Sequence, residues 1–266
     1  MVNYPSDWEV KKLGEIGTFT KGAPLSKKDI ATFGTPIILY GELYTTYSEV
    51  TYKIFRHTKR DVQSQYYSKI GDVIIPTSGE TAEEIAKATC VMIPGVILAG
   101  DLNIYRSSAL DGRFLSYTIN HVVNKQISEV AQGISIIHIN AKELGKIFVH
   151  YPPLPEQQAI ADTLMAFDTH ITNLAALIDK KKAIRDGALD DLMSRRTRLK
   201  GFSVEWEVKN LGECVTILQG GTPSTYTLQY WNGNIIWVTP SEITKNKSMY
   251  ISDSKRKIRN QGLLFP

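Results

Sequence analysis

The sequence predicts a mixed α/β fold in three parts: an α/β domain over residues 1–152, a long coiled-coil-type helix over 153–200, and the start of a second α/β domain over 201–266. Two observations predict this arrangement. Short apolar runs separated by Gly and Pro fill the first part, which is typical of strands joined by turns. A single helical pattern without an internal Pro then occupies the second part.

The elements of the first part follow from the placement of its apolar residues. Leu13, Ile16 and Phe19 share one side of the opening segment, which Gly22 ends in a turn. Helical spacing covers 114–130, and a short helical turn is expected within 81–88. Strands are predicted at 35–43, at 69–77 after a turn at Gly71, at 90–98 with a break at Pro94, and at 102–105, 134–139 and 147–151.

Residues 155–200 predict one long helix. Pro155 suits the first helical turn, and Glu156 suits the positive end of the helix dipole. Apolar residues recur in steps of four and three, which is typical of a coiled-coil seam. Arg198 and Lys200 favour the negative end of the dipole, and Gly201 is the expected stop. The proposed helix-pairing residues are Ile160, Leu164, Phe167, Ile171, Leu174 and Ile178. The alternative is a helix that packs along one domain.

An internal repeat is the most specific feature of the chain. The segment that opens at Trp8 returns at Trp206, and nine of the fifteen positions from Trp8 to Gly22 are identical in the copy. Further on, residues 36–43 resemble residues 236–243. The repeated unit therefore opens with a Trp and runs through the long helix, and its second copy begins where that helix ends.

Composition excludes several classes of protein. The net charge of +4 does not by itself indicate nucleic-acid binding, which would need local clusters of basic side chains. Cys90 and Cys214 are far apart in sequence, so neither a disulfide framework nor a zinc site is expected, and a reducing cytoplasm fits. The opening residues lack the pattern of a signal peptide, and the sequence has no apolar run of about 20 residues.

Several stretches resemble the specificity (S) subunit of type I restriction-modification systems. They are Trp8 to Glu15 with Gly22; Gly71 to Gly79; Gln132-Gly133 followed by Ile139; Pro152 to Ala161; and Arg198 to Phe202. Members of this family normally alternate two target-recognition domains with two conserved helical regions. Because the second domain here is incomplete, the resemblance implies a chain truncated within its second target-recognition domain.

The resemblance also implies a non-catalytic function. Each recognition domain reads one half of a bipartite site in double-stranded DNA, and the long helices pair antiparallel to set the gap between the halves. The assembly docks modification (methyltransferase) subunits and, through them, restriction subunits. Two similar units joined by a rigid rod also fit a bipartite target on physical grounds. An unpaired seam should seek a second chain, so self-association through the long helix is expected.

Candidate DNA contacts are polar and basic residues that we expect in loops: Lys21, Lys27, Lys28, Arg56, Lys59, Arg60, Thr77 and Ser78. Lys and Arg would neutralise phosphates, and Arg, Ser and Thr can also read base edges. A solvated surface charge is the alternative for each basic residue. A second basic cluster contains Lys245, Lys247, Lys255, Arg256, Lys257 and Arg259.

The sequence contains no recognisable enzyme motif. It lacks a phosphate-binding GxxxxGK[ST] loop. Glu242, Asp253 and Lys255 have only loosely nuclease-like spacing, and the histidines show no metal-ligand spacing. No cofactor and no metal is therefore expected. The main alternative to a DNA reader is a truncated S-type interaction protein, which self-associates or pairs with another S chain without reading DNA alone.

Overall fold

The computed structural model describes residues 5–131 and 137–263. The chain forms two compact units, Met1–Asp190 and Asp191–Pro266. In the described part of the chain, no helix combines the length and apolar character needed to cross a membrane.

The first unit is built from short strands. Those described are β1 (Glu9–Lys12), β2 (Thr18–Lys21), β3 (Ile30–Ala31), β4 (Thr35–Leu39), β5 (Val50–Thr51), β6 (Arg56–Thr58), β7 (Asp72–Pro76), β8 (Ser78–Gly79), β9 (Thr89–Val91), β10 (Ile97–Ala99), β11 (Leu102–Arg106), β12 (Ile137–His138) and β13 (Phe148–Tyr151). Its helices are α1 (Leu13–Ile16), α2 (Ala82–Ile85), α3 (Gly112–His121), α4 (Asn124–Val130), α5 (Ala141–Leu144) and α6 (Leu154–Met193).

A five-stranded sheet, ordered β2-β11-β7-β9-β5, lies at the centre of the first unit. Strand β7 is fully buried, as its continuous apolar run predicts. Val73 and Ile75 pack into a core formed with the helices, whereas Ile74 packs into a second core on the opposite face. The period-2 alternation of strand side chains thus divides one apolar run between two cores.

A four-stranded sheet, ordered β10-β4-β6-β3, covers that opposite face. The strand predicted at 35–43 ends earlier than expected, because Tyr40–Tyr44 forms a 3-10 turn. The side chain of Glu42 stabilises this turn by accepting a hydrogen bond of 3.0 Å from the backbone N–H of Leu39.

The helical pattern predicted over 114–130 forms two helices, α3 and α4, rather than one. The break falls at Val122 and Val123, whose backbone N–H groups both donate to the carbonyl of Thr118. Two adjacent β-branched residues lower helix propensity, and Val123 is buried against the core. Of the strand predicted at 134–139, only β12 is described, since residues 132–136 lie outside the described part.

The long helix is confirmed, but its end is not where the sequence predicted it. Helix α6 spans 40 residues and stops at Met193, before Lys200 and the expected stop at Gly201. Arg195 adopts a left-handed conformation with φ of 64°, and the N–H of Thr197 donates to the carbonyl of Asp191 at 3.1 Å. A residue in the left-handed region with hydrogen bonds back to the last turn is a common way for a helix to end.

The second unit contains α7 (Leu211–Cys214), β14 (Trp231–Trp237), α8 (Pro240–Lys245), β15 (Arg256–Ile258) and α9 (Asn260–Leu263). Helix α7 repeats α1 at the offset of 198 residues found in the sequence. In the first unit Val10 pairs with His150 of β13. The described residues of the second unit include no counterpart of β13, and Val208 there is exposed and outside any strand.

Candidate functional site

A groove of about 1350 Å³ with a mixed polar and apolar lining opens on the first unit. It is lined by residues next to the ends of β2, β4, β10 and β11, together with the segment from β12 to α5. Its charged side chains are Lys21, Lys27, Lys28, Glu42, Arg56, Asp101 and Glu143. Four basic and three acidic side chains give a surface that can bind phosphates without a high bulk charge.

Five of the eight candidate contacts line this groove: Lys21, Lys27, Lys28, Arg56 and Thr77. Lys27 and Lys28 are exposed on a 3-10 turn. The Asp29 carboxylate closes this turn by accepting the N–H of Ser26 at 3.0 Å. That hydrogen bond holds the pKa of Asp29 below its usual value. The fold therefore brings together lysines from two separate segments.

Arg56 lies on strand β6, Lys21 on β2 and Ser78 on β8, which corrects the expectation that these three residues belong to loops. Arg56 lies opposite Ile37 of β4. Its Nε is 3.5 Å from the Glu42 carboxylate, and its side chain is 55% exposed, whereas that of Glu42 is 14% exposed. A partly buried carboxylate thus biases the position of an accessible guanidinium at the groove wall.

Lys59 and Arg60 do not line the groove. The ammonium group of Lys59 lies 4.0 Å from the centre of the Phe33 ring. Arg60 donates from Nε to Asp29 at 3.1 Å. The group 56–60 is therefore split: Arg56 faces the groove, and its two basic neighbours have other partners.

Ser78 is buried, unlike its neighbour Thr77 at the groove. The Ser78 hydroxyl donates to the Asp101 carboxylate at 3.3 Å, and its carbonyl accepts a hydrogen bond of 2.8 Å from the Tyr44 hydroxyl. The N–H of Thr77 donates to the carbonyl of Asp101 at 2.8 Å. Ser78 is thus placed to hold the groove wall.

Sequence reasoning missed polar residues that line the groove from distant segments: Thr45, Thr46, Asp101, Asn103, His138 and Asn140. Only one carries a local signal. Asn140 caps α5 by accepting the N–H of Glu143 at 3.0 Å, and Asn is a typical N-cap residue. Asn103 and His138 reach the groove through sheet pairing, Asp101 lies between β10 and β11, and Thr45 and Thr46 follow the 3-10 turn after β4. Single-sequence patterns do not reveal these positions.

The first turns of α6 are fastened to the first unit by polar contacts. Gln157 is buried and uses three hydrogen bonds: its Oε1 accepts the N–H of Asp111 at 2.8 Å, and its Nε2 donates to the carbonyls of Ala109 and Pro152. Arg113 pairs with both oxygens of Asp111 and also with Asp162 of α6. These contacts fix the direction in which the helix leaves the unit.

The Asp111 carboxylate has two roles at this junction: it forms an ion pair and it caps α3. It pairs with Arg113 and accepts the N–H groups of Arg113 and Phe114 at the start of α3. Burial alone would raise the pKa of Asp111, but the hydrogen bonds and charge of Arg113 outweigh it and lower the pKa. The ionised form is therefore the one that the fold stabilises.

Beyond this junction the apolar seam is exposed. Ile160 packs against the core of the first unit, and Leu164 is half-buried. In contrast, Phe167 is 62% and Ile171 65% exposed, and Leu174 and Ile178 are exposed as well. Every residue from 166 to 190 is exposed, so at about 1.5 Å per residue roughly 37 Å of helix carries an uncovered apolar side.

The first unit thus combines an α/β fold, a partly basic groove and a long helix with an open apolar side. Residues 5–181 match the family described as "Type I restriction modification DNA specificity domain". That match covers most of the first unit, including the greater part of the long helix. The chain belongs to this family.

Two curated relatives come from Methanocaldococcus jannaschii. The type I restriction enzyme MjaVIII specificity subunit is 23% identical over 228 residues, covering 81% of this chain and 51% of the relative. The MjaIX specificity subunit is 22% identical over 274 residues, covering 94% of this chain and 61% of the relative. The chain thus spans between half and two thirds of the length of these relatives.

Two solved structures share the fold. The type I restriction-modification S subunit from M. genitalium has a TM-score of 0.50 and 20% identity, covering 73% of this chain and 48% of that one. A chain from a structure on complex assembly and conformational transition of the type I R-M system has a TM-score of 0.52 and 18% identity, covering 71% and 46%. At this identity the similarity concerns the fold alone.

Proposed function

We propose that this chain is the DNA-recognition component of a type I restriction-modification complex, in which the first unit reads one half of a bipartite site. The family match over residues 5–181 carries the proposal, because it coincides with the unit that contains the groove. Lys21, Lys27 and Lys28 would neutralise phosphates, and Arg56 would contact base edges or phosphate.

The long helix has a separate role in this proposal. It holds the reading unit at a fixed distance from a second one and forms part of the surface on which modification subunits dock; restriction subunits join through these. The chain itself does no chemistry. A cytoplasmic location belongs to the same proposal, since both cysteines are free and a reducing compartment fits them.

The test is co-expression with type I modification subunits from the same genome, followed by purification and sequencing of methylated DNA. We expect stable association and methylation at one bipartite sequence. Two results together would refute the proposal. The modification subunits would methylate DNA and purify without this chain, and the chain would bind DNA with steep salt dependence but no sequence preference.

A second candidate function is favoured by the exposed seam of α6. The chain would act as an interaction protein that pairs with a second copy, or with another S chain, without reading DNA alone. Phe167, Ile171, Leu174 and Ile178 would form the contact. Specific DNA binding by the isolated chain would exclude this candidate, whereas both candidates require the helix to associate.

A further inference from the structure

The two units share a hairpin that the sequence repeat only partly reveals. In the first unit β4 and β6 pair antiparallel, with Thr35 opposite Thr58 and Ile37 opposite Arg56. In the second unit β14 and β15 also pair antiparallel, with Ile235 opposite Ile258 and Trp237 opposite Arg256. An offset of 200 residues relates both strands and their register, and it makes Arg256 the counterpart of Arg56.

The segment after the first strand of the hairpin is repeated in detail. The Glu42 carboxylate accepts the N–H of Leu39 at 3.0 Å, and the Glu242 carboxylate accepts the N–H of Thr239 at 2.9 Å. The carbonyls of the same two glutamates accept the N–H groups four residues later, at 2.8 Å from Thr46 and at 3.0 Å from Asn246.

Each of these hairpins forms the wall of a groove. The second unit has a groove of about 600 Å³, lined in part by Thr239, Ser241, Glu242, Lys245, Asn246 and Arg256. Their counterparts at an offset of 200 are Leu39, Gly41, Glu42, Thr45, Thr46 and Arg56, and all six line the groove of the first unit. The two grooves are therefore the same site in two copies.

The arginine is retained in both grooves, but its support differs. Arg56 lies beside Glu42, whereas the guanidinium of Arg256 lies 3.5 Å from the centre of the Trp231 ring. Stacking on an aromatic ring and pairing with a carboxylate both restrict a long side chain before it binds. Two unrelated supports for one guanidinium indicate that its position matters in both copies.

The neighbouring side chains differ between the copies. Gly41 corresponds to Ser241, and Thr45 corresponds to Lys245; Thr45, Ser241 and Lys245 are exposed. Ser, Thr and Lys side chains can hydrogen-bond to base edges, whereas Gly offers no side chain to read with. A shared arginine beside side chains that differ is the pattern expected of two DNA-binding grooves that recognise different sequences.

We propose that Arg256 is the counterpart of Arg56 as the arginine that contacts DNA in the second groove, and that positions 41 and 45 in the first unit and 241 and 245 in the second are specificity-determining residues. The inference rests on the proposed function. It adds which residues of each unit would distinguish the bases, and it places them at equivalent positions of the two grooves.

The test selects bound sequences from a library of random DNA duplexes with the purified full-length chain. Two reciprocal double variants exchange the side chains: Gly41→Ser with Thr45→Lys, and Ser241→Gly with Lys245→Thr. Gly41 has open space where a Cβ would stand, so its substitution is compatible with the fold. Lys247→Thr, an exposed change outside the groove lining, is the matched control.

We expect the wild-type chain to select a bipartite sequence. Each double variant should change the preferred bases in one half only, a different half for each variant, and Lys247→Thr should change neither. Arg256→Lys keeps the charge but loses two-pronged base contact, and should weaken binding by roughly 5- to 150-fold. Near-ultraviolet circular dichroism of the tryptophans checks that this variant is folded.

Two results would overturn the inference in different ways. If the wild-type chain selects a sequence that the second-unit variants leave unchanged in both bases and affinity, positions 241, 245 and 256 do not contact DNA, while the proposed function stands. If the wild-type chain selects no sequence, the proposed function fails and the inference fails with it.

Discussion

The backbone N–H of Asp111 donates a hydrogen bond of 2.8 Å to the side-chain oxygen of Gln157, and so joins the start of α3 to the first turn of α6. Gln157 is 1% exposed, and its amide nitrogen satisfies two further carbonyls. These three hydrogen bonds explain why position 157 is a Gln, because a side-chain amide offers both an acceptor and two donor hydrogens.

Gln157→Leu should destabilise the first unit. The change removes three hydrogen bonds. It leaves the buried carbonyl of Pro152 without this partner, at about 1–3 kcal/mol, whereas the part-buried N–H of Asp111 and carbonyl of Ala109 can be partly hydrated and should cost less. We expect a loss of about 2–4 kcal/mol and a Tm lower by about 5–10 °C. Gln158→Leu, an exposed neighbour on the same helix, is the control, and equal melting of the two variants would contradict this account.

The pairing of Asp111 with Arg113 predicts how stability depends on pH. Because folding lowers the pKa of Asp111, its contribution is fully present above the unfolded pKa of about 3.9 and is lost as pH falls through the folded value. The Tm of Asp111→Asn should therefore lie furthest below wild type above about pH 5, and the gap should narrow toward pH 2.

Asp186→Asn is the control for that experiment. Asp186 pairs with Arg185 at the exposed surface of α6, where an ion pair contributes little. Its melting curve should follow that of the wild-type chain at every pH. If the difference in Tm between Asp111→Asn and wild type became larger at acidic pH, the sign of the pKa shift would be wrong.

Phe167→Asp should abolish association through α6. Burying one large apolar side chain contributes about 1.5–3 kcal/mol, and a carboxylate at the centre of an apolar contact would add a desolvation cost. Sedimentation velocity should show a smaller species than the wild-type chain forms. Ala176→Asp introduces the same charge on the opposite side of the helix and should not change sedimentation; loss of association in both variants would show a general effect of charge.

Arg56→Ala should weaken DNA binding more than Lys59→Ala or Arg60→Ala, because Arg56 alone of the three lines the groove. We expect roughly a 5- to 150-fold increase in Kd, and a salt slope smaller by about 1 if the lost contact is to phosphate. Binding is measured by fluorescence anisotropy over a series of salt concentrations.

Lys69→Ala is the matched control for Arg56→Ala. Lys69 is exposed and precedes β7, whereas Thr77 follows it at the groove, so the strand separates them by about 17 Å. Equal losses at positions 56 and 69 would point to bulk charge instead of a defined contact.

Much of the fold could be predicted from local patterns. The buried strand at 72–76 and the strand at 102–106 follow from apolar runs between turn residues, and the long helix follows from its seam. The strand Arg56–Thr58 could not be predicted, because no local pattern marks those polar residues and only pairing with β3 and β4 makes them a strand. The end of α6 was also missed, because Arg195 in a left-handed conformation carries no sequence signal.

The groove was predicted less completely than the fold. Lys21, Arg56 and Asn140 lie far apart in sequence and come together through sheet order, which is a tertiary property. The repeat offered a further signal, since it relates residues 36–43 to 236–243, but the correspondence of Arg56 with Arg256 needed the strand register. DNA contact by the candidate residues stays a prediction.

The way in which the segment after β4 is held has a consequence for how such a protein can evolve. Main-chain N–H groups, carbonyls and the Glu42 carboxylate hold the segment 40–46. Gly41 has no side chain, and the Thr45 hydroxyl contacts its neighbour Thr46 at 3.2 Å within the same exposed segment. Substitutions at positions 41 and 45 are therefore nearly neutral for folding. With the proposed role of these positions in reading DNA, substitutions there would change the preferred sequence while the fold is preserved, so related proteins would acquire new targets one substitution at a time.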